Sequence, residues 1–238
     1  MWARLMAVAS LASACLLPAA ASAQNVFIGL SSTNGGFTTE ASGVGTASLG
    51  AGITFGSFSS VQVSATGAPI LTLPSLVDTN TINTSGTGGT LWVAITETGL
   101  TTPLSSIGSS FTSNALTAGW TVNEQTFLNT DNALYGEETP LGNAVFTAIG
   151  TQGPVNTGTT TGSNFSVTML YEIVGAGLNG NSNDTIDTTG VAAPVGAPGP
   201  IQGAGIPGIA LAVCVFGFLT LRRRSKVALR NLSGAILG

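Results

Sequence analysis

Phe165-Ser-Val-Thr-Met-Leu-Tyr-Glu-Ile173 carries the clearest alternation in the chain. Phe165, Val167, Met169, Tyr171 and Ile173 fall on every second position, with Ser166, Thr168 and Glu172 between them. Successive side chains of a β-strand point to opposite faces. The spacing therefore predicts a strand with one face in a core and the other towards solvent. Leu91-Trp-Val-Ala-Ile95 repeats the pattern, with Leu91, Val93 and Ile95 on one face and Trp92 on the other. Further strands are expected at 26–30, 53–58, 61–65, 120–128 and 144–149. These stretches are rich in Val, Ile, Thr and Phe, and clusters of Gly, Asn, Ser and Pro separate them. Residues 105–118 read as loop and strand, with a short helix as the other option, and 185–191 as a final edge strand. No internal stretch sustains a helical period, and no solenoid or propeller repeat is present. The expected fold is all-β: an antiparallel β-sandwich of the jelly-roll or Ig-like kind.

The charges are sorted along the chain. Arg4, Arg222, Arg223, Arg224, Lys226 and Arg230 lie in the two terminal segments, and between Gln24 and Leu221 there is no Lys, Arg or His. All ten acidic residues fall in that interval. A polyanion without cations repels phosphate backbones, which argues against nucleic acid as a partner. It also has no internal ion pairs, so apolar burial and hydrogen bonds must hold it together. Cys15 and Cys214 lie in the terminal segments, so the interval carries no disulfide. The same absences exclude several chemistries: a Ser-His-Asp or Cys-His site, a zinc site of His and Cys, and a Walker loop with its lysine.

The chain ends read as addresses. Met1–Ala23 has one positive charge at Arg4, an apolar run over 5–17, Pro18, and the small-residue site Ala21-Ser22-Ala23. This is the form of a secretory signal peptide cleaved between Ala23 and Gln24. Near the other end, residues 206–221 are uncharged and about 24 Å long as a helix. Counted from Ile201, the stretch approaches the thickness of a bilayer core. It has no amphipathic face to bury in a domain, and Arg222, Arg223 and Arg224 follow at once, as on the cytoplasmic side of a membrane span. The expected organisation is a signal peptide over 1–23, an exported β domain over 24–191, a Pro/Gly linker over 192–205, a transmembrane helix over 206–221 and a basic cytoplasmic tail over 222–238. The exported domain is expected outside the membrane, anchored there or released to the cell surface or extracellular matrix.

The order of signal peptide, cysteine-free β domain, short proline motif, apolar helix and arginine cluster resembles the exosortase-sorted PEP-CTERM family of Gram-negative bacteria. The matching triplet is Pro198-Gly199-Pro200, with Gly199 where the family has glutamate. The basic cluster is Arg222–Arg224, followed by a tail longer than the family's short end. Gly88-Gly-Thr-Leu-Trp-Val93, Thr96-Glu-Thr-Gly99 and Asn129-Thr-Asp-Asn-Ala-Leu-Tyr-Gly136 are similar to stretches of that family's β-sandwich domains. The resemblance implies an exosortase-type membrane protease as a processing partner, and a link to extracellular polysaccharide and biofilm.

The remaining candidates are polar loops and aromatics. Asn179-Gly-Asn-Ser-Asn-Asp-Thr-Ile-Asp187 offers oxygen ligands at short spacing, so Asp184 and Asp187 are weak calcium candidates; Asp131, Glu137 and Glu138 are a second set. Both sets are better explained as polar turns, and no cofactor is expected. Adjacent Glu137 and Glu138 would point to opposite faces of a strand, which is wrong for paired-carboxylate glycoside hydrolysis. Trp92, Trp120 and Tyr135 could stack on sugars or fill the core. Asn83-Thr-Ser, Asn164-Phe-Ser and Asn183-Asp-Thr fit a glycosylation sequon, but such matches arise by chance in so Ser/Thr/Asn-rich a chain. The expected function is that of a non-enzymatic surface or matrix protein. The alternatives are a carbohydrate- or calcium-binding module, which requires exposed aromatics on one face or carboxylates converging on one loop, and a glycan-active enzyme, which requires two carboxylates across a cleft.

Overall fold

The computed structural model describes residues 24–157, 161–177 and 179–194. The expected signal segment with Ala23, the Pro198-Gly199-Pro200 motif, the apolar stretch over 206–221 and Arg222–Arg224 lie outside the described residues. Among the described residues there is no helix. Twelve strands follow one another: β1 (Asn25–Ser31), β2 (Thr38–Val44), β3 (Thr46–Phe55), β4 (Phe58–Thr66), β5 (Ser75–Gly86), β6 (Gly89–Leu100), β7 (Leu104–Leu116), β8 (Thr121–Asn129), β9 (Thr139–Phe146), β10 (Gly150–Thr157), β11 (Phe165–Gly175) and β12 (Gly180–Ala192).

They form two six-stranded sheets in which neighbouring strands run antiparallel. Sheet I has the order β2-β1-β6-β11-β8-β9, and sheet II the order β10-β7-β12-β5-β4-β3. The last eight strands pair in a nested series: β8 with β9, β7 with β10, β6 with β11 and β5 with β12. The first four widen both sheets, β1 and β2 beyond β6, and β4 and β3 beyond β5. The chain passes from β2 to β3 through the single residue Gly45, whose φ of +69° glycine adopts readily.

One apolar core draws on both sheets. Val26, Ile28, Leu91, Val93, Ile95, Val122, Met169 and Tyr171 come from sheet I; Val61, Val63, Ile82, Ile107, Phe111 and Ile186 come from sheet II. Hydrogen bonds also cross between the sheets. Tyr171 Oη donates to Thr79 Oγ1 at 2.7 Å, and the Ser109 and Thr126 hydroxyls meet at 2.8 Å. With no disulfide available, each fully buried Val, Leu, Ile or Phe contributes about 1.5–3 kcal/mol.

Several strands depart from the expectation. The stretch 53–58 is a hairpin turn, because Phe55 and Phe58 pair across Gly56 and Ser57, with Gly56 at φ +57°. Expected strand 144–149 ends at Phe146. Residues 105–118 are mostly strand, and their inward positions alternate Ile107, Ser109, Phe111 and Ser113; the two serines hide the apolar period. Residues 185–191 belong to β12, which is bonded on both sides, to β5 and β7, and is no edge. Its outward residues are polar because the outer face of sheet II is polar. There the amides of Gln62, Asn83 and Asn183 hydrogen-bond in a row across β4, β5 and β12. The other departure from expectation is at β11, where residues 165–171 are buried without a break, so both of its faces are covered.

Candidate functional site

The outer face of β11 is covered by the molecule's own loop. Leu170, Ala94 on β6 and Phe127 on β8 form a small second cluster there, and Phe37, Trp92 and Tyr135 pack over it, each half-buried. Tyr135 belongs to the segment 130–138 between β8 and β9, which is fastened to the sheet by polar side chains. Asn129 Nδ2 donates to the Gly136 carbonyl at 3.0 Å, and Asn129 Oδ1 accepts from Glu138 N at 3.0 Å. Asn132 Oδ1 accepts from Gly99 N at 2.7 Å, and Ser166 Oγ donates to the Ala133 carbonyl at 2.6 Å. Thr96 Oγ1 accepts from Tyr135 N at 3.2 Å and is itself paired with Thr168.

This fastening holds Asn132 at φ +61° and Tyr135 at φ +54°. Left-handed backbone at a bulky residue is strained and persists only where its surroundings impose it. The result is a fixed tyrosine. Its ring lies on Gly29 of β1 so closely that a Cβ there would come within 2.6 Å of it. Its hydroxyl meets Thr39 Oγ1 at 2.9 Å, and Phe37 sits 5.4 Å away at a 50° tilt. Burial raises the Tyr135 phenol pKa, the Thr39 bond opposes this, and Glu40 adds to the rise. Trp92 pairs in register with Ser31 on one side and Glu172 on the other. Asn34 Nδ2 reaches Glu137 at 3.3 Å, tying the segment before Phe37 to the loop. Aromatic faces ringed by carboxylates, amides and hydroxyls suit a sugar: the rings stack on C–H faces and the polar rim takes hydroxyl hydrogen bonds.

The interior holds a second unusual set. Glu97 on β6, Glu124 on β8 and Asp184 on β12 occupy core positions with no exposed surface. Burial pushes Glu97 up to about 8, the Ala68 N–H opposing and Asp78 adding. Burial, followed by repulsion from Asp184, pushes Glu124 up to about 9. Burial pushes Asp184 up to about 6, against the effect of the Ser113 and Ser182 hydroxyls. All three are consistent with the protonated form being favoured where water is excluded and no cation is near.

The sequence candidates fall as follows. Asp184 and Asp187 sit in strand β12 and not in a loop, Asp184 inward and Asp187 outward, so they do not face a common ion. Asp187 pairs instead with Asp78, which burial and then Asp187 push up to about 6. Asp131, Glu137 and Glu138 are divided among loop contacts: Asp131 Oδ1 accepts from Ala133 N, Glu138 binds Thr130, and Glu137 meets Asn34. Among the described residues, no group of three or more His, Cys, Asp or Glu side chains is placed to hold a metal. Trp120 parts from Trp92 and Tyr135: it is wholly buried, edge-on to Phe58 at 5.8 Å. Gln24 lines a depression of about 440 Å³ with Ala68, Leu71 and Leu100, and a second of about 370 Å³ includes Asp187; neither brings two carboxylates together. Phe37, Glu97 and Glu124 were not expected at either site. The two glutamates were nonetheless visible in phase: Glu97 continues Leu91, Val93 and Ile95, and Glu124 lies between Val122 and Thr126.

The fold and this face define an all-β protein of two six-stranded sheets with an aromatic outer surface on sheet I. No family model, curated protein or solved structure matches the chain.

Proposed function

We propose that this is an exported, non-enzymatic β-sandwich protein of the cell surface or extracellular matrix, which holds neutral polysaccharide on the outer face of sheet I. The observation that carries the reading is the half-buried set Phe37, Trp92 and Tyr135, with Tyr135 locked in place by the 130–138 loop. The absence of any Lys, Arg or His between Gln24 and Leu221 favours uncharged glycans over anionic ones. The nested pairing of β5–β12 favours the jelly-roll form of sandwich over the Ig-like form. The ends of the chain deliver it: a signal peptide cleaved after Ala23, then a C-terminal helix that anchors the domain or serves as a sorting tag at Pro198-Gly199-Pro200.

The binding test is affinity electrophoresis of the full chain through gels containing neutral matrix polysaccharide. Trp92→Ala should weaken retardation about tenfold, the value of one good aromatic contact. A variant that is retarded as strongly as the wild type would remove the face from the mechanism. Delivery is tested by intact mass of the surface material: a product ending near Pro200 supports sorting, and recovery solely of chains that retain Arg222–Arg224 refutes it.

A further inference from the structure

Between the two sheets lie carboxyl oxygens that the chain satisfies incompletely. Glu124 enters from β8 in sheet I and Asp184 from β12 in sheet II. None of their four carboxyl oxygens makes a well-formed hydrogen bond, nor does the hydroxyl of Ser113, which is 2% exposed, although the Ser113 and Ser182 hydroxyls lie close to Asp184 and the Thr112 N–H close to Glu124. These groups belong to one place. Ser113 is the register partner of Asp184 and acts on its carboxyl, as does Ser182 two residues earlier on the same face. Glu124 and Asp184 repel each other, and Tyr171, the register partner of Glu124, feels both. Tyr171 cannot relieve them by donating its proton, which goes to Thr79 at 2.7 Å.

A buried polar atom without a partner is costly, and five converging together call for a common cause. Ionised, the two carboxyls carry a double negative charge, and no side chain between Gln24 and Leu221 can neutralise it. A small, doubly positive ligand bound through oxygen would satisfy all five and cancel that charge. Calcium takes six to eight oxygens, including bidentate carboxylates, in flexible geometry. We propose that the space between Glu124 and Asp184 is a buried divalent-cation site of the calcium class, completed by the hydroxyls of Ser113 and Ser182. The ion joins sheet I to sheet II in a domain without disulfides. Asp187, on the opposite face of β12, takes no part.

The test uses the purified full chain, stripped with chelator and then given millimolar Ca²⁺. One equivalent of calcium should remain after gel filtration, and the thermal midpoint should rise by about 5–10 °C at a hundredfold excess over Kd. Glu124→Gln and Asp184→Asn should abolish both effects, and Asp187→Asn should keep them. A chain that retains no calcium and whose midpoint does not move overturns the proposal. So does a full shift in Glu124→Gln, which would put the ion on surface carboxylates. Should the variants fail to fold, hydrogen exchange on the wild type decides: calcium should slow exchange of the β7, β8 and β12 amides around Ser113, Glu124 and Asp184, and slowing confined to the 130–138 loop or to the face carrying Asp78 and Asp187 refutes the site.

Discussion

Replacing Glu97 by glutamine should leave stability unchanged in acid and raise it in alkali. Glu97 has no exposed surface. Its Oε1 accepts from Ala68 N at 2.7 Å, and its Oε2 has no partner. Its pKa rises from 4.5 to about 8, chiefly because burial disfavours the charged form. The folded chain therefore keeps a proton that the unfolded chain has given up. Below pH 4.5 both states are protonated and the group's stabilising contribution is complete. As pH rises towards 8, each unit removes about 1.4 kcal/mol, or about 5 kcal/mol in all. Glutamine keeps the acceptor for Ala68 and cannot ionise. Urea unfolding of both full-length chains across this range, in chelator, should give matching stabilities in acid and a growing gap in favour of Glu97→Gln above pH 5. An offset that does not change with pH would refute the reasoning, since Glu97 would then have the same proton affinity in both states.

Three other outcomes are expected. Trp120→Ala opens a cavity beside Phe58 and should cost about 3–5 kcal/mol in urea unfolding; a cost below 1 kcal/mol would place the indole outside the core. Gly29→Ala puts a methyl group against the Tyr135 ring, where 2.6 Å is available. It should lower stability by about 1–3 kcal/mol, with loss of the tyrosine near-ultraviolet dichroism, and an unaltered signal would disprove the close stacking. Asn129→Ala removes the bonds to Gly136, Glu138 and Thr168, should cost about 1–3 kcal/mol, and should speed protease cleavage within 130–138; equal cleavage rates would show that the loop is held by other means.

What the sequence made legible follows from where the polar residues sit. β11 was readable because its inward positions, Phe165 to Ile173, are all apolar. Its buried outer face was not, because the cover comes from a segment some thirty residues earlier, held by single hydroxyls and amides that look like ordinary loop composition. β5 and β10 escaped notice because Thr, Asn, Ser and Gly dominate them; in β5 the inward Thr79 and Thr84 are satisfied by Tyr171 and Ser182 and need no apolar signal. Aromatic residues announced a choice between core and surface without deciding it. Only packing separates Trp120, which fills the core, from Trp92, which faces out. Glu97 and Glu124 were overlooked, and Asp184 was read as part of a polar turn, because acidic residues are ordinarily read as surface. Their phase within β6, β8 and β12 already placed them inside.

The nested pairing has a consequence for the order in which the chain becomes structured. β12 is the last strand and is central in sheet II, bonded to both β5 and β7. Until residues 180–192 are available, β5 and β7 have no bridge between them. A chain that emerges from its amino end first cannot complete this domain early, however long it waits. The innermost pair, β8 with β9, can form as a local hairpin; β7 with β10, β6 with β11 and β5 with β12 must then close loops of increasing length. Completion of the domain is thus deferred until β12 is made, and a chain that lacks residues 180–192 leaves sheet II split between β5 and β7.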